Sequence, residues 1–305
     1  MIRVTFLGTA AARPTVGRNV SALMIQRAGE SMLFDCGEGT QRQMMRYGTG
    51  FAVDDIFFSH LHADHFLGVT GLLRTMGLQG REEPFRLWAP EGGTRILHDA
   101  VHLGLERVTF PVEITELQPG QRLERDGYDI VAYRTQHGHR SLGYALIEAE
   151  RLGRFDPERA RLFGVPEGPL FGRLHRGESV EVDGRTISAS DLVGPPRAGR
   201  RVVYTGDTRP CRETSGIARG ADLLIHDATF AHDEAARAKD TQHSTAHEAA
   251  ELAKHAGVQQ LALTHISARY ADDARSLERE ARAVFRSTVV AYDGLTLEVP
   301  FRDAS

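Results

Sequence analysis

The sequence predicts a mixed α/β fold in which sheets are covered by helices on their outer faces, and three observations lead there. Strand-like and helix-like segments alternate through both halves of the 305 residues. Hydrophobic residues make up 41% and charged residues 26%, a globular balance with enough chain for one large core. Residues 151–200 then break the rhythm with repeated Gly and Pro, among them Gly153, Pro157, Gly164, Gly168, Pro169 and Pro195–Pro196. One domain over 1–305 with an inserted arm over about 151–197 is the expected organisation.

Ile2, Val4 and Phe6 alternate, so the chain opens with a strand over 2–7 rather than a signal peptide. Strands over 21–26 and 31–34 come next. Gly37–Gly39 opens a helix over 40–47. A strand over 55–59 runs into a histidine cluster, and a helix over 66–78 stops near Gly80. A strand surrounds Trp88, then come a helix over 94–103 and strands over 112–117 and 128–134. After the arm, strands fall over 201–205 and 221–226. Thr245 begins a helix that Gly257 ends, and a strand over 261–264, a helix over 272–285 and a strand over 289–292 complete the chain.

Composition narrows the setting. Two cysteines, Cys36 and Cys211, in no C-x-x-C pair, fit a reducing cytoplasm and argue against a zinc ribbon. No apolar window is long enough to cross a bilayer, so no membrane association is expected. A net charge of −4 argues against unguided nucleic-acid binding. The charge is uneven, however: residues 151–201 hold ten Arg against seven Asp or Glu, a basic segment on an acidic body.

The chemistry concentrates in His60-Leu61-His62-Ala63-Asp64-His65. Side chains alternate in an extended chain, so His60 and His62 project to one side, and the turn into a helix brings Asp64 and His65 round. Imidazole with carboxylate suits zinc, and also manganese or iron. These donors are too crowded for one tetrahedral site with an open position, which points to two neighbouring ions completed from elsewhere. His137, Asp207 and His265 each come after an expected strand and could reach the same edge. Other histidines fare worse. His98 and His102 are spaced i, i+4 with nothing to complete a site. His247-Glu248 fails as a zincin motif because position 251 is Glu251.

This loop, a distant His137, Asp207 in Thr205-Gly206-Asp207-Thr208 and a late His265 resemble the metallo-β-lactamase superfamily. That resemblance implies an αββα sandwich. It narrows with Phe6-Leu7-Gly8-Thr9, Arg18-Asn19-Val20-Ser21, Asp35-Cys36-Gly37-Glu38-Gly39-Thr40, Gly168-Pro169, His243-Ser244-Thr245 and His265-Ile266-Ser267-Ala268-Arg269-Tyr270, which in this order resemble the ribonuclease Z family of tRNA 3′-end endonucleases. The resemblance implies two zinc ions per subunit, with manganese as a substitute. His60, His62 and His137 would hold one and Asp64, His65 and His265 the other, with Asp207 bridging. Asp35 would steady the metal loop, or simply cap the turn after its strand.

The same resemblance implies catalytic roles for Asp64, which would orient the attacking nucleophile, and for His243, which would protonate the leaving oxygen beside Asp227. The family motif is His-Glu-Ala-Thr, whereas this chain has His226-Asp227-Ala228-Thr229, one methylene shorter at the acid. Ser267, Arg269 and Tyr270 would hold phosphates beside the cut, although a structural Arg–carboxylate pair competes for Arg269. Arg18 and Asn19, and Gly168 and Pro169 in the arm, are the other implied substrate contacts. The partners implied are precursor tRNA and a second copy of the chain as a homodimer. Val16 stands where the family often has Lys, in a loop linked to sensing a CCA end. A small-molecule phosphodiesterase or other hydrolase of the superfamily is the competing function.

Overall fold

The computed structural model describes residues 1–271 and 273–302. Asp272, the expected start of the last helix, lies outside them. Two seven-stranded sheets carry most of the chain. The first contains β1 (Ile2–Gly8), β2 (Ala22–Arg27), β3 (Glu30–Cys36), β4 (Asp55–Phe57), β5 (Phe85–Pro90), β6 (Val112–Leu117) and, beside β1, the last strand β16 (Thr296–Val299). The second contains β7 (Arg122–Arg125), β8 (Tyr128–Arg134), β9 (Leu142–Glu148), β12 (Arg201–Tyr204), β13 (Leu223–Asp227), β14 (Gln260–Thr264) and β15 (Thr288–Val290). A separate hairpin pairs β10 (Val180–Val182) with β11 (Arg185–Ile187).

Alternation along the strands builds three layers of core. Val4, Phe6, Leu23, Ile25, Phe34 and Phe57 face Tyr144, Leu146, Val202, Tyr204 and Ile225 between the sheets. The intervening residues, such as Met24 and Leu33, face outward and pack under α1 (Thr40–Arg46), α3 (Gly68–Leu78) and α4 (Thr94–Val101). On the second sheet, Leu224, Leu261 and Leu263 pack under α7 (Arg212–Ile217), α9 (Ala246–Ala256) and α10 (Arg275–Val284). Helices, sheet, sheet and helices form the expected αββα sandwich.

Three details differ from expectation. The helix expected over 66–78 is broken into a four-residue turn, α2 (Ala63–Phe66), and α3. Gly68, at the break, lies so close to the Gly37 carbonyl that a Cβ there would come within 2.0 Å of its oxygen. Strands β7, β9 and β16 have no clear signal in the sequence: β7 is polar and partly exposed, β9 is interrupted by Gly143, and β16 is a short edge strand. Within 151–200, where no continuous core is expected, α5 (Pro157–Leu162), α6 (Pro169–His175) and the β10–β11 hairpin surround a small core of Ala160, Val165, Leu174, Val180, Ile187 and Leu192.

The chain accordingly divides into two compact units. One spans 1–147 and 201–300; the other spans 148–200 together with Phe301 and Arg302. Short helical α8 (Ala235–Asp240) belongs to the first. Among the described residues no helix is long and apolar enough to cross a membrane.

Candidate metal centre

The strand ends deliver the donors. β4 stops at Phe57, and His60 and His62 come next in extended backbone before α2 carries Asp64 and His65. His137 lies beyond β8, Asp207 beyond β12, and His265 directly after β14 in a left-handed conformation with φ 59°. Strands β12, β13 and β14 run parallel, so the residues just beyond each strand emerge at one edge.

His60, His62, His137 and Asp207 converge as one donor group, and Asp64, His65 and His265 as a second. In the first, His60 Nε2 lies 2.9 Å from His62 Nδ1, and His137 Nε2 lies 3.3 Å from the same atom. Asp207 Oδ2 is 3.5 Å from His60 Nε2 and 3.9 Å from His137 Nε2. In the second, Asp64 Oδ2 is 3.5 Å from His65 Nε2 and 3.4 Å from His265 Nε2. Asp207 also faces this group, with Oδ1 3.3 Å from His65 Nε2 and Oδ2 3.3 Å from His265 Nε2.

These donors fit divalent ions. Bonds of about 2.0–2.1 Å to a tetrahedral zinc put neighbouring donors about 3.3–3.4 Å apart. His65 Nε2 and Asp207 Oδ1 are buried without a hydrogen-bond partner among the described residues, and both point into the cluster. Burial and the neighbouring imidazoles hold His60 well below the ordinary histidine range, which keeps a lone pair available. Burial opposes the charge on Asp207, but His265, His65 and His60 hold it well below the usual carboxylate range. The same balance, led by the hydrogen bond to His265 once burial is overcome, keeps Asp64 anionic.

A second set of contacts fixes the imidazoles. Asp35, at φ 55°, accepts hydrogen bonds from the Ser59 amide (2.7 Å), the Ser59 hydroxyl (2.8 Å) and the Tyr204 hydroxyl (2.7 Å), and lies 2.8 Å from His65 Nδ1. It therefore does more than cap a turn. Ser59 Oγ is 3.0 Å from His60 Nδ1, and Thr229 Oγ1 is 2.9 Å from His265 Nδ1. His137 Nδ1 is directed at the Gln242 carbonyl at 3.0 Å, and Gln242 Oε1 accepts from the Gly138 amide at 2.6 Å. The rings of His60, His65, His137 and His265 thereby turn Nε2 towards the cluster, whereas His62 presents Nδ1. Sequence reasoning misses Gln242: it works through a carbonyl and a left-handed backbone, φ 59°, and no motif announces either.

Beside the cluster, His243 Nδ1 lies 2.7 Å from Asp227 Oδ2. The shorter acid reaches because Asp227 ends β13 and is clamped by the amides of Thr208 (3.0 Å) and Thr229 (2.9 Å). Burial disfavours a charged His243, but Asp227 overrides it and lifts the group to about 9. The remaining expected contacts are engaged in the structure. Arg269 pairs with Glu234, and Tyr270 Oη accepts from the Ala231 amide at 3.0 Å. The Ser267 side chain caps the short turn after it. Arg18 donates to Thr9 Oγ1 (2.7 Å) and the Ala291 carbonyl (2.6 Å), and Asn19 to the Glu38 carbonyl (2.8 Å). Gly168, at φ 130°, and Pro169 open α6. His98 and His102 stack on the surface at 4.2 Å. Both cysteines are free.

Comparison with known proteins identifies the family. Residues 2–152 match the family model of the anti-Pycsar protein Apyc1, and residues 180–266 that of the beta-lactamase superfamily domain. Ribonuclease Z of Gemmatimonas aurantiaca is 59% identical over 97% of this chain and 95% of its own length. Ribonuclease Z of Myxococcus xanthus is 53% identical over 99% of each. Among solved structures, the short form of human tRNase Z superposes with a TM-score of 0.71 at 26% identity, over 98% of this chain and 100% of that one. The chain belongs to the ribonuclease Z family, in the metallo-β-lactamase superfamily.

Proposed function

We propose that this chain removes the 3′ trailer from precursor tRNA at a centre of two zinc ions. Its membership of the ribonuclease Z family makes it a metal-dependent endoribonuclease of tRNA 3′-end processing. The observation that carries the two-ion reading is Asp207, whose carboxylate faces both donor groups. His60, His62 and His137 would hold one ion, Asp64, His65 and His265 the other, with Asp207 shared. Divalent ions there would neutralise charge on the phosphodiester and make water acidic enough to attack near neutral pH.

The chain's own groups do the rest. Asp64 is held anionic, so it orients the nucleophile by accepting a hydrogen bond rather than by storing a proton. Asp227 fixes the His243 Nδ1 proton and leaves Nε2 to protonate the departing oxygen, which becomes the 3′-hydroxyl of the tRNA while the trailer keeps a 5′-phosphate. The Asp227 carboxylate raises His243 above the ordinary histidine range, which favours the protonated form that an acid needs. The unit over 148–200 supplies the grip on the tRNA, with Gly168 and Pro169 in it. On the family resemblance Ser267, Arg269, Tyr270, Arg18 and Asn19 would frame the cut, with Arg269 exchanging Glu234 for a phosphate. The reading includes a homodimer, on the family resemblance, and a cytoplasmic setting, supported by the two free cysteines.

The test is cleavage of 5′-labelled precursor tRNA with zinc, with manganese and with chelator. One metal-dependent cut is expected, beside the discriminator base or after CCA, and its position also reads the effect of exposed Val16. No cut, alongside hydrolysis of a small phosphodiester, would keep the centre and reject the tRNA assignment.

A further inference from the structure

Outside the sheets, single backbone bridges tie loops together. Arg151 and Arg197 exchange hydrogen bonds of 2.8 and 2.9 Å where the chain enters and leaves the inserted unit. Gln136 and Arg209 form another bridge beside the metal centre, with the Arg209 amide donating to the Gln136 carbonyl at 3.0 Å. Gln136 precedes His137, and Arg209 stands two residues beyond Asp207. From this junction the Arg209 side chain reaches the acid. Its Nη1 donates to the His243 carbonyl at 2.7 Å and to Glu248 Oε2 at 2.7 Å, and its Nη2 donates to Glu248 Oε1.

His243 lies between α8 and α9, outside helix and strand. Asp227 holds its ring at Nδ1, but a ring held at one atom still swings when its backbone moves. That backbone is held on both sides. The His243 amide donates to the Ala238 carbonyl at 2.8 Å, and its carbonyl accepts from Arg209. Thr208, the residue before Arg209, adds to the grip: its amide donates to Asp227, and its carbonyl accepts from the Ser244 hydroxyl at 2.6 Å. Residues 208–209 therefore hold both Asp227 and the segment that carries His243, and so set the distance between them.

Glu248 braces the guanidinium. It is the third residue of α9, and the Thr245 amide donates to it at 2.9 Å as half of a capping box. Capping accounts for that bond but does not call for an arginine. The Arg209 and Glu248 side chains are 17% and 20% exposed, so their pairing is not the loose one of a surface ion pair. A guanidinium spans two carboxylate oxygens and a carbonyl with one rigid fork. Lysine keeps the charge but has no such fork.

We infer that Arg209, braced by Glu248, is a positioning residue for His243: it sets where the acid stands beside the metal centre, without itself touching substrate. The inference rests on the role given to His243 in the reading above.

The experiment compares the metal-loaded wild type with Arg209→Lys, His243→Ala and the Arg209→Lys/His243→Ala double variant, on precursor tRNA and on bis(p-nitrophenyl) phosphate. The tRNA 3′ oxygen needs a proton to depart, whereas p-nitrophenolate departs without one. Arg209→Lys should lower kcat on tRNA about 10- to 100-fold, the scale for a misplaced group, with KM changed less than about twofold. Hydrolysis of the small diester and metal content should match the wild type. In the His243→Ala background the same substitution should lower kcat no further, because the group it places is already gone. Glu248→Gln keeps the helix cap and loosens the brace; it should show the same pattern more weakly, and it replaces Arg209→Lys if that variant does not fold. Additive losses in the double variant overturn the inference, as does a raised KM with kcat intact. Parallel loss of the small diester activity, or a wild-type kcat in folded Arg209→Lys, overturns it too. A wild type that does not cut precursor tRNA, or a His243→Ala variant that cuts normally, would instead sink the reading on which the inference rests.

Discussion

His243 shows how much a single position depends on its surroundings. Its ring packs near His137 and His265, yet Asp227 at 2.7 Å makes it the group suited to hold a proton. His243→Ala should lower tRNA cleavage by about 10²–10⁴-fold, the range for losing a general acid. Metal content measured on the same sample should stay at the wild-type level. Near-normal cleavage would remove His243 from the chemistry. At this scale the sequence is readable wherever a side chain does the work. The donors on His60 through His65 cluster in one loop, and the rest come after strands. Asp227 in place of Glu leaves the reach to His243 open in the sequence, because reach depends on where β13 ends and on the amides of Thr208 and Thr229. Gln242 is unreadable because its carbonyl, not its side-chain type, directs His137.

Between elements, the metal loop is set by backbone crossings with no room for a side chain. A Cβ on Gly68 would meet the Gly37 carbonyl oxygen at 2.0 Å, and one on Gly37 would meet the Asp64 carbonyl oxygen at 2.3 Å. Gly68→Ala must therefore push α3 away from the loop after β3, and α2 with it. Overpacking of this kind costs about 1–3 kcal/mol. Urea denaturation should show that loss, and metal analysis a reduced zinc content. Gly216→Ala is the control: it lies in α7 with open space around it, and should be neutral or slightly stabilising. Equal behaviour of the two variants would mean that the crossing does not matter. Strands with alternating or concentrated apolar residues, such as β1, β6 and β8, are legible; β6 and β8 fall on the expected bounds. The helix over 66–78 reads as continuous because its hydrophobic spacing runs through the break, where Gly68 meets the Gly37 carbonyl.

For the molecule as a whole, the relevant division is between the sandwich and the inserted unit. Deleting 155–195 removes all of Ala160, Val165, Leu174, Val180, Ile187 and Leu192, the complete small core, and cuts through none of the sandwich layers. The shortened chain should keep hydrolysis of a small phosphodiester near the wild-type rate and lose tRNA cleavage. Loss of both activities together would make the segment structural. The fold class is legible from alternation and from the family motifs. The unit's private core is not, because its apolar residues are scattered among Gly, Pro and charge with no sustained period. The bridge between Arg151 and Arg197 has a consequence beyond this chain. An insertion whose two ends meet can be lengthened, shortened or exchanged without re-threading its host. Lineages can then revise what the enzyme grasps while inheriting unchanged what it cuts with.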